Sequence, residues 1–266
     1  MRATGPAPLP TSAKIGLGPL HISEVDPKFA WVWRDPSLIV CLPFDNKNVG
    51  EFMPIRAFGN ASSGVTAPTA PYIQPWGRMG RALQWTTTGG TVGGYLAVDG
   101  VISFPGNGDR TIILPYRKTD STLRQSCAFS NDFVLGGNVP RFLNARIPYS
   151  DGNVYWAFGG ATAPNVVVVS GLTFGTDVWA FTGGSQGMSV WQNGKRVGGH
   201  STPVTRTVAG GWRLGRPNQE GFTPDWGNDL GQYWAPLWVF ARILSGAEII
   251  QLSMDPWGPL RSAELF

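Results

Sequence analysis

The chain has 266 residues, a length at which an all-β sandwich still forms one domain. It combines 36 glycines and 22 prolines with 12 tryptophans and only 14% charged residues, a turn-rich, aromatic composition that excludes wholesale disorder and points to β structure. The net charge of +4 comes from dispersed basic residues, and no run of 18 apolar residues occurs, so neither a nucleic-acid partner nor a membrane span is expected.

Residues 1–36 carry prolines at 6, 8, 10, 19, 27 and 36 and little alternation of apolar with polar residues, the pattern of an extended Pro-rich arm. Prolines also interrupt Met1–Pro8, where a secretory leader would place its apolar helix, so synthesis in a cytoplasm without a signal peptide is expected. The arm has few charges and carries Ile15, Leu17, Leu20, Phe29, Trp31 and Trp33. Ordering such a segment costs about 1–2 kcal/mol per residue. Burial of those six side chains, against the chain's own body or against neighbouring subunits, would offset that cost. On this reading the arm mediates assembly, including homo-oligomerisation, and removal of residues 1–30 leaves a folded sandwich that no longer assembles.

From Ser37 the pattern changes, and residues 37–266 read as one domain. Leu38–Leu42 is an apolar run closed by Pro43, consistent with a buried strand. Residues 59–77, rich in Gly, Ala, Ser, Thr and Pro, read as a loop. Strands are expected at Ala82–Trp85, Tyr95–Val98 and Thr111–Leu114, and within Ser126–Leu135. Phe142–Ile147 and Val154–Phe158 flank a loop holding Asp151-Gly152, a hairpin signal. Val166–Val169 is β-branched and uncharged, and an exposed edge of that kind invites pairing, so burial in the sandwich or at a subunit interface is expected. Asp177–Phe181 is a further strand. In Met188–Val197, Asn193-Gly194 between two strand-like runs selects a two-residue type I′ turn, pairing Gln192 with Lys195, Trp191 with Arg196 and Val190 with Val197. Trp191 and Arg196 then share one face, within cation–π reach. Near the C-terminus, Ser245-Gly246-Ala247-Glu248 fits a capping box, Ile249, Ile250 and Leu252 follow, and Pro256 ends the helix. The expected architecture is an all-β antiparallel sandwich with one short C-terminal helix and an extended N-terminal arm.

The chemistry is sparse. Cys41 and Cys127 match no metal or redox spacing and sit among apolar and aromatic residues; they read as buried thiols, with a bridge as the alternative. The histidines are His21 and His200, which excludes a histidine-rich metal site. The glutamates, at 24, 51, 220, 248 and 264, form no pair with an acid at alternate strand positions, so the paired carboxylates of glycoside hydrolysis are missing and no catalytic residue is expected. The loop Pro217–Asp229 holds Glu220, Asp225 and Asp229, whose oxygens could ligate calcium, although Asx turns account for the same acids. No other cofactor is expected. The same loop offers Trp226 as an aromatic platform, with Asn228 and Asp229 as hydrogen-bonding partners for a sugar.

In their order along the chain these features resemble the laminin-G-like, concanavalin-A-like jelly-roll family, particularly its copies in phage and prophage proteins. Leu38–Asp45 resembles the opening strand with its Pro-Phe-Asp turn, and Gly80–Trp85 the second strand. Ser189–Lys195 is similar to the aromatic-x-Asn-Gly hairpin, and Leu237–Ile249 to the final strand with Arg-x-Leu-Ser-x-x-Glu-Ile behind it. Arg146–Trp156 is similar to a segment common in phage-encoded members, with Ala157 standing where such relatives carry an acid. The resemblance covers about residues 37–258. It implies a jelly-roll sandwich and, as the first expectation, a non-enzymatic structural protein of a phage virion, on the capsid surface or tail, joined to other virion proteins by its arm. The alternative is a lectin-like module that binds a host surface glycan, since the fold alone does not choose between these roles.

Overall fold

Ile112–Leu114, Val178–Phe181 and Leu237–Phe240 are apolar at every position, and the computed structural model gives the reason: these strands are buried on both faces. The structure describes residues 25–42, 65–66, 72–75, 81–84, 96–98, 108–118, 128–130, 143–160, 162–205, 212–214, 231–233 and 236–260. In chain order the strands are β1 (Leu38–Leu42), β2 (Val65–Thr66), β3 (Tyr72–Pro75), β4 (Arg81–Gln84), β5 (Leu96–Val98), β6 (Arg110–Lys118), β7 (Phe129–Ser130) and β8 (Leu143–Arg146). They continue with β9 (Val154–Phe158), β10 (Val166–Val169), β11 (Thr176–Gly184), β12 (Gly187–Gln192), β13 (Lys195–His200), β14 (Trp212–Leu214), β15 (Gly231–Tyr233) and β16 (Leu237–Phe240). Among the described residues two α-helices flank them, α1 (Ala30–Arg34) and α2 (Gly246–Met254).

All described pairings are antiparallel. One sheet runs β13-β12-β11-β6-β15-β4-β3, with β16 also paired to β6 and β1 paired to β16. The other runs β10-β9-β8-β7-β14-β5-β2. Successive strand residues point to opposite faces. In the first sheet Ile112, Leu114, Trp179, Phe181, Leu237 and Val239 enter the core between the sheets. Their neighbours Ile113, Val178, Ala180, Trp238 and Phe240 enter a second cluster on the outer face. In the second sheet Val154, Trp156, Phe158, Val167 and Val169 point inward, while Tyr155 and Val168 sit opposite each other on the other face. Burial therefore holds for Val167 and Val169, but Val168, on the other face of the end strand β10, is 51% exposed.

The outer face of the first sheet is covered by both ends of the described chain. Phe29, Val32, Ile249, Leu252 and Leu260 are buried there. Trp31 stacks on Phe240 with centroids 6.1 Å apart, and Trp33 meets Trp238 edge-on at 5.6 Å. Both indoles donate: Trp31 Nε1 to Gln251 Oε1 at 3.0 Å and Trp33 Nε1 to the Pro259 carbonyl at 2.7 Å. The Phe29 ring lies directly on Gly258, in space that any Cβ would occupy. Arg242 ties the two ends together. Its Nε donates to Asp35 Oδ2 at 2.7 Å, and Nη1 and Nη2 bind the two Glu248 oxygens at 2.9 and 2.5 Å.

Three stretches differ from the sequence expectation. Residues 27–34 are helical rather than extended, comprising a 3-10 turn at Pro27–Phe29 capped by Asp26 and then α1. Phe29, Trp31 and Trp33 pack on this chain's own sheet; Ile15, Leu17 and Leu20 lie outside the described residues. The 59–77 loop contains β2 and β3, whose Gly- and Pro-rich composition hides them; Pro75 is tolerated because β3 ends its sheet. In the hairpin, Gln192–Lys195 and Trp191–Arg196 pair as expected, but a bulge then sets Val190 opposite Gly198. Gly198 lies under the other sheet, where a Cβ would sit 2.5 Å from Val169 Cγ2. Cys41 is buried in the outer cluster, and Cys127 lies outside the described residues.

Two outcomes follow from this cover. Gly258→Ala should evict the Phe29 ring and cost about 1–3 kcal/mol in urea denaturation; unchanged stability would mean that the N-terminal segment is not seated there. The Glu248 carboxyl is pulled from an ordinary 4.5 down to about 2, chiefly by hydrogen bonds from Arg242 and then from Ser245. A carboxylate with a depressed value stabilises the fold above its unfolded value, and loses that contribution as pH falls through the folded one. Glu248→Gln should therefore be less stable at pH 7 by about 1 kcal/mol, given its partial exposure. That deficit should shrink between pH 4.5 and pH 2, and a deficit constant over that range would refute the assignment.

Candidate functional site

The site is built by the β12–β13 hairpin. Asn193 and Gly194 adopt φ of 51° and 77°, the left-handed pair that a type I′ turn requires. Asn193 also staples the turn to β11: its Oδ1 accepts from Val178 N at 2.8 Å, and its Nδ2 donates to Asp177 Oδ1 at 2.7 Å. Asp177 Oδ2 in turn accepts from Gly175 N at 2.7 Å. The turn is thereby held beside α2, where a Cβ on Gly194 would sit 3.4 Å from Ile250 Cα.

Between this hairpin and the Ile243–Ile249 segment lies a groove of about 290 Å³. Its lining combines Trp191 and Arg196 of the hairpin, Gln186 and Met188, the hydroxyls of Thr182 and Ser189, and Ile243, Leu244, Ser245, Gly246 and Ile249 opposite. Thr182 and Ser189 are cross-strand partners whose hydroxyls meet at 2.6 Å, and Trp191 Nε1 donates to Ser189 Oγ at 2.7 Å. That chain of bonds fixes the indole, whose edge approaches within 3.4 Å of the Cβ position of Gly246. The opposite wall is pinned as well. Thr111 Oγ1 donates to the Arg242 carbonyl at 2.8 Å and accepts from Leu244 N at 2.9 Å. Ser245 and Glu248 form the expected capping box, which sets the start of α2 against the groove.

A second polar-aromatic cluster lies on the β8–β9 hairpin, with a different balance. Asp151 accepts from the Tyr155 hydroxyl at 2.5 Å and from Asn153 N and Nδ2, both at 3.0 Å. The Tyr155 hydrogen bond, the largest influence, holds the Asp151 carboxyl below its usual range and pushes the Tyr155 phenol up. Arg146 stacks over Tyr149 at 4.8 Å, and Tyr149 meets Tyr155 edge-on at 5.4 Å. These groups satisfy one another, and the cluster acts as the buckle of its hairpin.

Trp226, Asn228 and Asp229, the expected sugar-binding set, lie outside the described residues, as do Glu220 and Asp225 of the calcium reading. Trp191 and Arg196 are the groove residues whose adjacency is legible in the sequence, through the Asn-Gly register. Their expected cation–π contact gives way to another arrangement. The indole turns its N–H to Ser189, and the guanidinium lies along β13, with Nη2 3.1 Å from the Cβ position of Gly199. Gln186, Ser189 and Gly246 escape sequence reading, because the docking of residues 243–249 is what makes them neighbours.

No protein-family model matches the chain, and none of the curated proteins does. Solved structures match it in fold. The binding domain of Paraclostridial Mosquitocidal Protein 1 aligns with a TM-score of 0.56 at 14% identity, over 81% of this chain and 51% of that one. A Trypanosoma rangeli sialidase in complex with 2,3-difluorosialic acid gives 0.56 at 13% identity, over 83% and 33%. Botulinum neurotoxin type C, whose cell entry depends on interaction with two ganglioside molecules, gives 0.55 at 13%, over 81% and 50%. The chain spans about half the length of the toxin chains and a third of the sialidase. At these identities the likeness shows the fold, an antiparallel jelly-roll-type β-sandwich.

Proposed function

We propose that this chain is a carbohydrate-binding module whose sugar site is the groove between the β12–β13 hairpin and the start of α2. The observation that carries the reading is the convergence there of a fixed indole with the hydroxyls of Ser189 and Thr182, the Gln186 amide and the Arg196 guanidinium. An apolar surface edged by a few oriented polar groups is how proteins hold small polar ligands, and about 290 Å³ suits a ligand of sugar-residue size. The polar groups of the lining are hydroxyls, an amide and a guanidinium, groups that hydrogen-bond sugar oxygens. Neighbours of the same fold include a toxin whose cell entry depends on gangliosides, which supports a host surface glycan as the partner.

The virion-component reading keeps its basis in the sequence resemblance, but its proposed strap loses support. Phe29, Trp31 and Trp33 pack on this chain's own sheet.

A glycan array followed by calorimetric titration tests the binding reading. Trp191→Ala should weaken binding at least about tenfold in a protein whose thermal unfolding remains cooperative, while Trp226→Ala leaves it intact. The reverse pattern would move the site to the Pro217–Asp229 loop. A protein that binds no glycan on the array would end the reading altogether.

A further inference from the structure

The groove holds a charge without a counter-charge. Arg196 is the one ionisable side chain in its lining, and among the described residues its guanidinium makes neither an ion pair nor a hydrogen bond. The carboxylates on the elements around it are engaged elsewhere. Asp109 accepts from Ser185 N and Oγ at 2.6 and 2.9 Å, Asp177 is taken by Gly175 and Asn193, and Glu248 by Arg242 and Ser245. The Arg196 fork is therefore available to a ligand, and it sits directly across the strand pair from Trp191. The two side chains leave the ladder as opposed residues on one face, the indole turned to Ser189 and the guanidinium reaching along β13 to Gly199.

We propose that the groove selects a carboxylate-bearing sugar residue, with the sugar ring against the Trp191 indole and the carboxylate on the Arg196 guanidinium. This inference rests on the glycan-binding reading and goes beyond it by assigning the ligand's charge. A planar guanidinium matches the two oxygens of a carboxylate with parallel hydrogen bonds. The lining supplies no second cation of the kind that a doubly charged phosphate would recruit. The hydroxyls of Thr182 and Ser189 at the floor are neutral and leave the charge selection to Arg196 alone.

The test is calorimetric titration of the full chain with oligosaccharides ending in glucuronic or sialic acid. Controls are the methyl esters of the same sugars, the neutral glucose- and galactose-ended forms, and a sulfated neutral sugar. The free acids should bind at least about tenfold more tightly than their esters. Arg196→Gln should erase that preference without lowering the melting temperature, since the side chain is exposed and unpartnered, and Arg196→Lys should retain part of it. Esters that bind as well as the acids, a preference that survives Arg196→Gln, or tighter binding of the sulfated sugar would each overturn the carboxylate assignment while leaving glycan binding in place. Failure of every sugar to bind would overturn both.

Discussion

Trp238 and Phe240 alternate along one strand with Leu237 and Val239, and all four are buried. A strand that is apolar on both faces cannot stand at the surface of a two-layer sandwich. The outer face of its sheet needs a third layer, and this chain supplies it from both ends: the segment around Phe29, Trp31 and Trp33 on one side, and α2 with the Gly258–Leu260 turn on the other. Aromatic side chains suit this task, because each removes roughly 150–250 Å² from water. The indole N–H groups that come with them find partners in Gln251 and the Pro259 carbonyl, so burial leaves no orphan donor there.

That layer also decides where a ligand can enter. It covers the middle of the sheet and stops at the β12–β13 hairpin, where Trp191 is only half buried. The groove is the seam between cover and sheet. Its walls are held by fixed hydrogen bonds: Asn193 to β11 on one side, and on the other Thr111 to Arg242 and Leu244, with Arg242 to Glu248. A pre-formed seam loses little conformational freedom when it is filled, which is what a binding site of modest size needs. The β8–β9 cluster shows the contrast. There an acid, an amide and a phenol satisfy one another and leave little for a partner.

Much of this was legible residue by residue. The Asn-Gly turn, the capping box at Ser245 and the strands from Thr111 to Val197 follow from local stereochemistry, which acts within a few residues and is written in the order of side chains. The register beyond the turn was legible only as far as Trp191–Arg196. The bulge at Val190 sets Gly198 opposite it and under Val169 of the other sheet, a contact that no window around the hairpin contains. β2 and β3 were hidden for a related reason: short edge strands depend on the neighbour they pair with more than on their own composition. The N-terminal segment misled differently. Its prolines argue for an extended chain, yet Pro27 starts a 3-10 turn, because Phe29 has a place on Gly258 some 230 positions away.

By itself the sequence determined the class of this protein: an antiparallel all-β chain, weakly charged, closed by one capped helix. Those properties are set by alternation, turn residues and caps, each a matter of near neighbours. Tertiary structure decided which faces are buried, that Phe29, Trp31 and Trp33 serve this chain's own core, and that Trp191, Ser189, Gln186 and Arg196 border one groove with Gly246. Packing brings together residues that are distant along the chain, and the value of each contact depends on what the rest of the fold has already placed beside it.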